Sequence, residues 1–249
     1  MRRNRVALLP PALNHSYAEF TTLQQANGEM AVVYGLGAIK GVSEKAMEAI
    51  IATREAGGKF ASLNDFVERV DVSNLNRKQM EMLAAAGAFA ELEPNPAIVF
   101  NGADALMSAA ALATEQRESG QVGLFGEGAN EANPLQLPVS LWTNVERSLL
   151  EKEAFGFYLS QHPTTRFRHI IKGLGCLSYN EICRLDFPSG GDRLATRLAA
   201  TVEEVKPRLS KNNFKIFNLL LSDQSGQFFA SCFDEVVGTM LGQQASAND

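Results

Sequence analysis

The hydrophobic pattern changes its period along the chain, and this change constrains the fold more than any other feature. Residues 31–92 predict short helices joined by tight turns, with capping residues such as Asn76 at their starts and glycines such as Gly87 at their ends. Helices this short are not stable alone, so they must pack against one another. From residue 193 onward the pattern predicts three antiparallel strands and a helix. The sequence therefore indicates an α+β protein, with a helical part followed by a half-built β-barrel.

Seven segments follow from these patterns and from the breaks between them. One stretch is rich in Gly, Pro and Asn and has no period, which is typical of a loop. The predicted segments are an extended stretch (1–30), tandem helical hairpins (31–92), a helix (93–118), the loop (119–140), a connecting helical segment (141–192), the partial barrel (193–242) and a polar tail (243–249).

Charge and cysteine content narrow the classes of function. The formal net charge is −5, which excludes a DNA-binding protein held by bulk positive charge but leaves room for local basic patches. Three cysteines, an odd number, fit a reducing compartment better than a disulfide framework. No apolar run is long enough to span a membrane, and the first residues lack a signal-peptide core. We expect a cytoplasmic protein with no membrane partner.

The stretch AIKGVSEKAMEAII, residues 38–51, has the form of a helix-hairpin-helix turn. Its backbone N–H groups, from Gly41 through Val42 and Ser43 to Lys45, are predicted to point outward at the positive end of a helix dipole. This geometry binds a phosphate without reading a base, and Lys40 and Lys45 add positive charge. The alternative is a glycine turn that only connects two packed helices, and the pattern alone does not decide between them.

Two related interpretations are weaker. A second helical pair, at residues 73–89, is a candidate partner hairpin but lacks the glycine turn. The glycines at 35, 37 and 41 resemble a dinucleotide-binding loop, but their spacing is wrong and a predicted helix stands where a second strand is needed.

A metal site is also disfavoured. His162, His169, Cys176 and Cys183 recur every seven residues, whereas structural zinc sites prefer ligand pairs two to four residues apart. Pro163 interrupts the helix that would stack them, and His162-Pro163 is more simply the end of the preceding helix. We predict no metal ligand.

The stretch VKPRLSKNNFKIF, residues 205–217, is a basic hairpin that contains no acid. Cations that follow a backbone and aromatic rings that stack on bases are typical of single-stranded DNA binding. The alternative is a solvated hairpin whose apolar side chains belong to the core, and this is the favoured interpretation for Phe217. The predicted single-strand contacts are Lys206, Arg208, Lys211, Phe214 and Lys215.

Seven stretches, in this order, resemble one family, the alpha subunit of bacterial DNA polymerase III, the C-family replicative polymerase. They cover nearly the whole chain and read LLPPALNHS, VVYGLGAIKGVSEKA, FASLNDFVERVD, LAAAGAF, QVGLF, LLEKEAFGFYLSQHP and LLLSDQSGQFFASCFDE. One departure is Ser43, where the family usually has a second glycine. If that position needs a positive φ, the serine backbone is strained and the turn binds a phosphate less tightly.

The resemblance implies the C-terminal part of that subunit. It implies the end of the fingers over 1–30, tandem helix-hairpin-helix DNA binding over 31–92 and an incomplete antiparallel OB-like barrel over 193–242. Five strands normally close such a barrel, and only three are predicted. Its partners are expected to be duplex and single-stranded DNA and the rest of the subunit and holoenzyme.

Catalysis is not expected from this chain alone. The family's polymerase site is a cluster of palm aspartates that hold two Mg²⁺ ions, and no such cluster or catalytic residue is found here. The chain therefore needs no cofactor of its own. Two alternatives are a segment of a DNA-directed DNA polymerase completed by another polypeptide, and the error-prone relative of the subunit; YGLGAIKG favours the replicative branch.

The stretch SGQVGLFGEG, residues 119–128, places two large apolar side chains in a polar loop. Gln121, Leu124 and Phe125 resemble the family's segment for the β sliding clamp. The resemblance implies that the two apolar side chains enter a pocket on the clamp while Gln121 supplies an orienting hydrogen bond. The alternative is a loop whose Leu124 and Phe125 fold back on neighbouring helices.

Overall fold

The computed structural model describes residues 6–119, 135–186, 193–210 and 213–246. The chain forms two compact units, Met1–Leu159 and Ser160–Asp249. The first unit contains the strands β1 (Ala7–Leu9), β2 (Thr21–Gln24) and β3 (Met30–Val33), and the helices α1 (Glu44–Gly57), α2 (Leu63–Arg69), α3 (Arg77–Ala85), α4 (Pro96–Asn101), α5 (Ala103–Ser119) and α6 (Asn144–Phe155).

The three strands of the first unit form a small sheet in the order β1-β3-β2. β1 runs parallel to β3, with Ala7 opposite Ala31, and β2 runs antiparallel to β3. Two of these strands therefore lie within residues 1–30, where the sequence predicts an extended stretch. The third, β3, is the apolar run that precedes the glycine turn.

The short helices pack around one apolar core, as their length requires. Phe60, Phe66 and Phe89 meet edge to face, with ring centroids 5.3 Å apart in both pairs. Met47 and Met80 are also fully buried, so α1 and α3 both contribute to this core. Edge-to-face pairs stabilise by about 0.5–1.5 kcal/mol beyond the area that they bury.

Two helix boundaries differ from the sequence prediction. The single helix predicted over 93–118 is divided at Gly102, where a Cβ atom would lie 2.7 Å from the Leu137 side chain. The glycine thus permits the close approach of the segment that leads into α6. The helix α6 ends at Gly156, in the left-handed conformation with φ +81°, rather than at His162-Pro163. A left-handed glycine ends a helix without any proline.

The second unit contains α7 (Arg168–Gly173), α8 (Tyr179–Ile182), β4 (Thr201–Leu209), β5 (Lys215–Asp223), β6 (Gly226–Cys232) and α9 (Glu235–Ser246). Its strands form an antiparallel sheet in the order β4-β5-β6. The sheet is open in the described part of the chain, consistent with an incomplete OB-like barrel. The α+β class predicted from the sequence is confirmed.

β4 is longer than predicted. The sequence predicts a turn-like stretch over residues 206–213 between the first two strands, but Lys206, Pro207 and Arg208 continue β4 to Leu209. The proline is tolerated because β4 is an edge strand in the described sheet, where a missing N–H costs no ladder hydrogen bond. None of the described helices is long and apolar enough to cross a membrane.

Candidate nucleic-acid interface

The turn before α1 takes its direction from Gly41. Gly41 has a φ of +73°, a region that L side chains rarely adopt, so a glycine is required there. Ser43 has φ −81° and ψ 128°, which is ordinary extended backbone. The condition under which Ser43 would be strained is therefore not met, because the positive φ of the turn lies two residues earlier, at Gly41.

The start of α1 leaves backbone donors open. Ser43 is the N-cap residue, but its side chain accepts no capping hydrogen bond. Val42 donates its N–H to the Ile39 carbonyl over 3.3 Å, so this amide is not available to a ligand. In the described part of the chain, the amides of Gly41, Ser43 and Lys45 have no protein acceptor. Lys40, Gly41 and Lys45 are exposed, so the turn presents these groups to solvent.

The turn is fixed from behind by the end of α6. Lys40 donates its backbone N–H to the Ala154 carbonyl over 2.9 Å. Its side chain lies against Gly156, where a Cβ atom would be 2.6 Å from the Lys40 Nζ. The ammonium group therefore lies at the negative end of the α6 dipole, a favourable position for a cation. Lys45 has no ion-pair partner among the residues that the structure describes, so it is the freer of the two cations.

The neighbouring glycines serve chain packing. Leu36 donates its N–H to the Tyr17 carbonyl over 2.8 Å, and Gly37 donates to the Ala18 carbonyl over 3.0 Å. A Cβ atom at Gly35 would lie 2.6 Å from that same Ala18 oxygen. The glycines thus allow two backbone segments to meet, and the dinucleotide-binding interpretation, already disfavoured, does not fit.

The start of α3, in the second helical pair, is capped by two of its own side chains. Asn76 accepts a hydrogen bond from the Gln79 amide over 2.9 Å, and Gln79 accepts one from the Asn76 amide over 3.2 Å. Nearby, Lys78 pairs with Glu153 at 2.7 Å. The adjacent Arg77 contacts the carboxylates of Glu81 and Asp104, and its hydrogen bond to Glu81 raises its pKa above the usual value.

In the second unit, acids from outside the basic hairpin neutralise two of its cations. Lys206 pairs with Glu204 at 2.8 Å, and Lys215 pairs with Glu235 of α9 at 2.6 Å. Arg208 has no ion-pair partner within the described ranges. The sequence reasoning missed the Glu235 pair because that acid is twenty residues away from its partner.

The aromatic residues of this unit divide between core and surface. Phe217 is buried, as the alternative interpretation of the sequence predicts, and Phe214 is 71% exposed. The sequence reasoning missed Phe229 of β6, which is 81% exposed. The signal was the pair Phe228-Phe229, because adjacent strand residues point to opposite faces and only one of them reaches the core.

Some predicted site residues lie outside the described part of the chain, namely Lys211 and the clamp-motif residues Gln121, Leu124 and Phe125. Among the described residues, no group of three or more His, Cys, Asp or Glu side chains could hold a metal ion. His162 instead contacts the Ser222 hydroxyl through Nε2 and the Thr164 hydroxyl through Nδ1, both at 2.8 Å.

The chain is similar to known proteins over nearly all its length. Residues 5–98 match a family model described as a helix-hairpin-helix motif. The chain is 35% identical over 231 residues to the DNA polymerase III subunit alpha of Neisseria meningitidis serogroup B, which covers 91% of this chain and 18% of the relative.

Two further relatives agree. The corresponding subunit of Campylobacter jejuni is 31% identical over 95% of this chain and 19% of its own length. That of Escherichia coli K12 is 30% identical over 94% of this chain and 20% of its own length. The chain spans about a fifth of the length of these relatives. It is therefore homologous, over nearly all its residues, to one segment of the bacterial DNA polymerase III alpha subunit.

Proposed function

We propose that this chain is a DNA-binding and clamp-tethering part of a replicative DNA polymerase III alpha subunit, acting in the cytoplasm on duplex and single-stranded DNA. The open start of α1 carries the proposal for duplex DNA. The amides of Gly41, Ser43 and Lys45, which have no acceptor among the described residues, and the Lys45 ammonium belong to one turn and the helix start that follows it. A phosphate is the ligand that such a turn binds best.

The test is binding of the complete chain to duplexes of unrelated sequence across a range of salt concentrations. Backbone binding gives similar affinities for all sequences and an affinity that falls linearly with salt on logarithmic axes. A strong preference for one sequence, or an affinity insensitive to salt, would contradict the proposed contact.

Single-stranded DNA is proposed to bind the second unit through Lys206, Arg208, Lys211 and Phe214 of the basic hairpin. Phe214 is exposed, and Lys211 is included from its position in the sequence. Arg208 supports this most strongly, because no acid in the described residues neutralises it. Replacing Arg208 by Ala should reduce the salt slope of oligonucleotide binding by about 0.7, the value for one single-strand phosphate contact. An unchanged salt slope would show that Arg208 makes no phosphate contact in the complex.

Clamp tethering is proposed for Gln121, Leu124 and Phe125 on the strength of their sequence and position. Leu124 and Phe125 are the two large apolar side chains of this polar stretch. Burial of two such side chains on a partner contributes about 3–6 kcal/mol before ordering costs, which is enough for a releasable tether. L124A/F125A should abolish clamp binding and leave duplex binding intact. Clamp affinity that survives the double substitution would refute the motif.

The proposal assigns polymerisation to the remainder of the subunit, whose palm carboxylates would hold Mg²⁺. A primer-extension assay on the isolated chain should therefore show background incorporation only. Incorporation above background would favour the alternative, a polymerase segment that contributes directly to nucleotidyl transfer. A second alternative, the error-prone relative, is less favoured by the stretch YGLGAIKG.

A further inference from the structure

The sheet of the second unit has one covered face and one open face. α9 lies on the first, where Gly238 packs against the Phe217 ring and Gly242 lies near Val205. The opposite side, defined here as the open face, forms a shallow concavity of about 410 Å³. It is lined by Glu204, Lys206, Asn218, Leu220, Phe229 and Ser231.

Phe229 is the unusual residue of the open face. It stands in the middle of β6, yet 81% of it is accessible to solvent. Burial of such a ring contributes about 1.5–3 kcal/mol, so a ring left exposed on a strand is a candidate contact for a partner.

The strand register places polar groups beside this ring. Leu220 lies directly opposite Phe229. In the adjacent row, Asn218 is opposite Lys206 on one side and Ser231 on the other. An apolar platform is therefore flanked by a cation, an amide and a hydroxyl.

We propose that Phe229 stacks on an unpaired base of single-stranded DNA that crosses the open face. In this arrangement Lys206 contacts the phosphate backbone, and Asn218 and Ser231 contact the base edge. This inference rests on the proposed single-strand function and names the residue that holds the base. It replaces the turn residue Phe214 as the main stacking position.

Charge and shape favour single-stranded DNA over other partners. Lys206 is paired with Glu204, but Arg208 on the same side of β4 has no ion-pair partner among the described residues, so a positive charge beside the ring is left to attract a polyanion. A duplex hides the faces of its bases, whereas a single strand offers a π-face at every nucleotide. Arg208 precedes the β4–β5 turn on the same side as Lys206, so the backbone has a continuous path from Phe229 toward the basic tip.

The test measures binding of the complete chain to a fluorescent oligo-dT by anisotropy. Base–aromatic stacking contributes about 1–3 kcal/mol, so F229A should weaken binding by about 5- to 150-fold. The salt slope should stay unchanged, because no phosphate contact is lost. F229W should retain the affinity. F167A, which removes a half-exposed ring that does not line the concavity, should have no effect.

The outcomes separate the inference from the proposal on which it rests. If F229A binds oligo-dT like the wild type while R208A lowers the salt slope, the stacking site is refuted and the single-strand function stands. If F229A and F167A weaken binding equally, the stacking site is also refuted. If the wild-type chain does not bind oligo-dT at low salt, both proposals fall together.

Discussion

The starts of α1 and α3 are similar in sequence but opposite in chemistry. Each follows a turn, and each has a lysine as its second residue, preceded by Glu44 in α1 and by Arg77 in α3. At α3, the Asn76 and Gln79 side chains accept hydrogen bonds from each other's amides, and Lys78 is paired with an acid. At α1, Ser43 caps nothing, and Lys45 has no ion-pair partner among the described residues. The start of α3 is capped by side chains and its cations are paired with acids, while the start of α1 has no side-chain cap and leaves the Lys45 charge unpaired among the described residues.

The difference shows where a ligand is expected. An N-cap side chain typically stabilises a helix by about 1 kcal/mol, and α1 does without it. The helix keeps its place through burial of Met47 and Ile50 and through the bond from Lys40 to the end of α6. The missing side-chain cap at Ser43, on an exposed turn, therefore indicates a ligand site more strongly than the glycine pattern does.

The largest expected effect is on duplex binding. K40A/K45A removes two cations beside the open turn, which should lower the salt slope by up to about 1.8 and the affinity by up to about 60-fold at 0.1 M salt. The matched variant R77A/K78A removes two paired cations at α3 and should bind like the wild type. Salt-dependent anisotropy measures the duplex affinity of both variants. Equal losses of affinity would show that the starts of α1 and α3 do not differ in DNA binding.

The next effect compares two glycines with the same backbone conformation. Gly41 and Gly87 have φ of +73° and +77°, and neither has a close neighbour that a Cβ atom would strike. Each substitution by Ala should therefore cost a similar 1–2 kcal/mol of unfolding free energy in denaturant titrations. Only G41A should also weaken duplex binding. A DNA defect of the same size in G87A would mean that loss of stability alone explains both.

The smallest effect concerns the caps themselves. N76A should destabilise the protein by about 1 kcal/mol, since it removes a capping bond that α3 makes. S43A should change the unfolding free energy by less than about 0.5 kcal/mol, because the Ser43 side chain makes no such bond. Urea unfolding of the two variants checks this, and a cost for S43A equal to that of N76A would show that α1 is capped after all.

Short-range chemistry made much of the helical part predictable. Asn76 as a cap, Gly87 as a stop and the glycine turn before α1 are encoded within a few neighbouring residues, and all three occur where the sequence predicts them. The end of α6 was misplaced because Gly156 and His162-Pro163 are both valid stops, and a chain takes the first that packing allows.

Ion pairs between residues far apart in the sequence could not be predicted from the sequence. The residues around Lys215 do not predict its ion pair with Glu235. Those around Lys78 do not predict its pair with Glu153, which is seventy-five residues away. The sequence around Pro207 is typical of a turn, and only the sheet order shows that β4 is an edge strand, in which a proline is tolerated. For the same reason the charge of each candidate site could be judged only after the partners of its lysines were known.

The central claim is that duplex DNA contacts the open start of α1. The most direct measurement is a set of amide chemical-shift changes in the complete, isotope-labelled chain as duplex DNA is added. The account predicts the largest changes at Gly41, Ser43 and Lys45, with the amides of Arg77 and Gln79 at the capped start of α3 almost unmoved. Larger changes at the start of α3, or none at the start of α1, would contradict it.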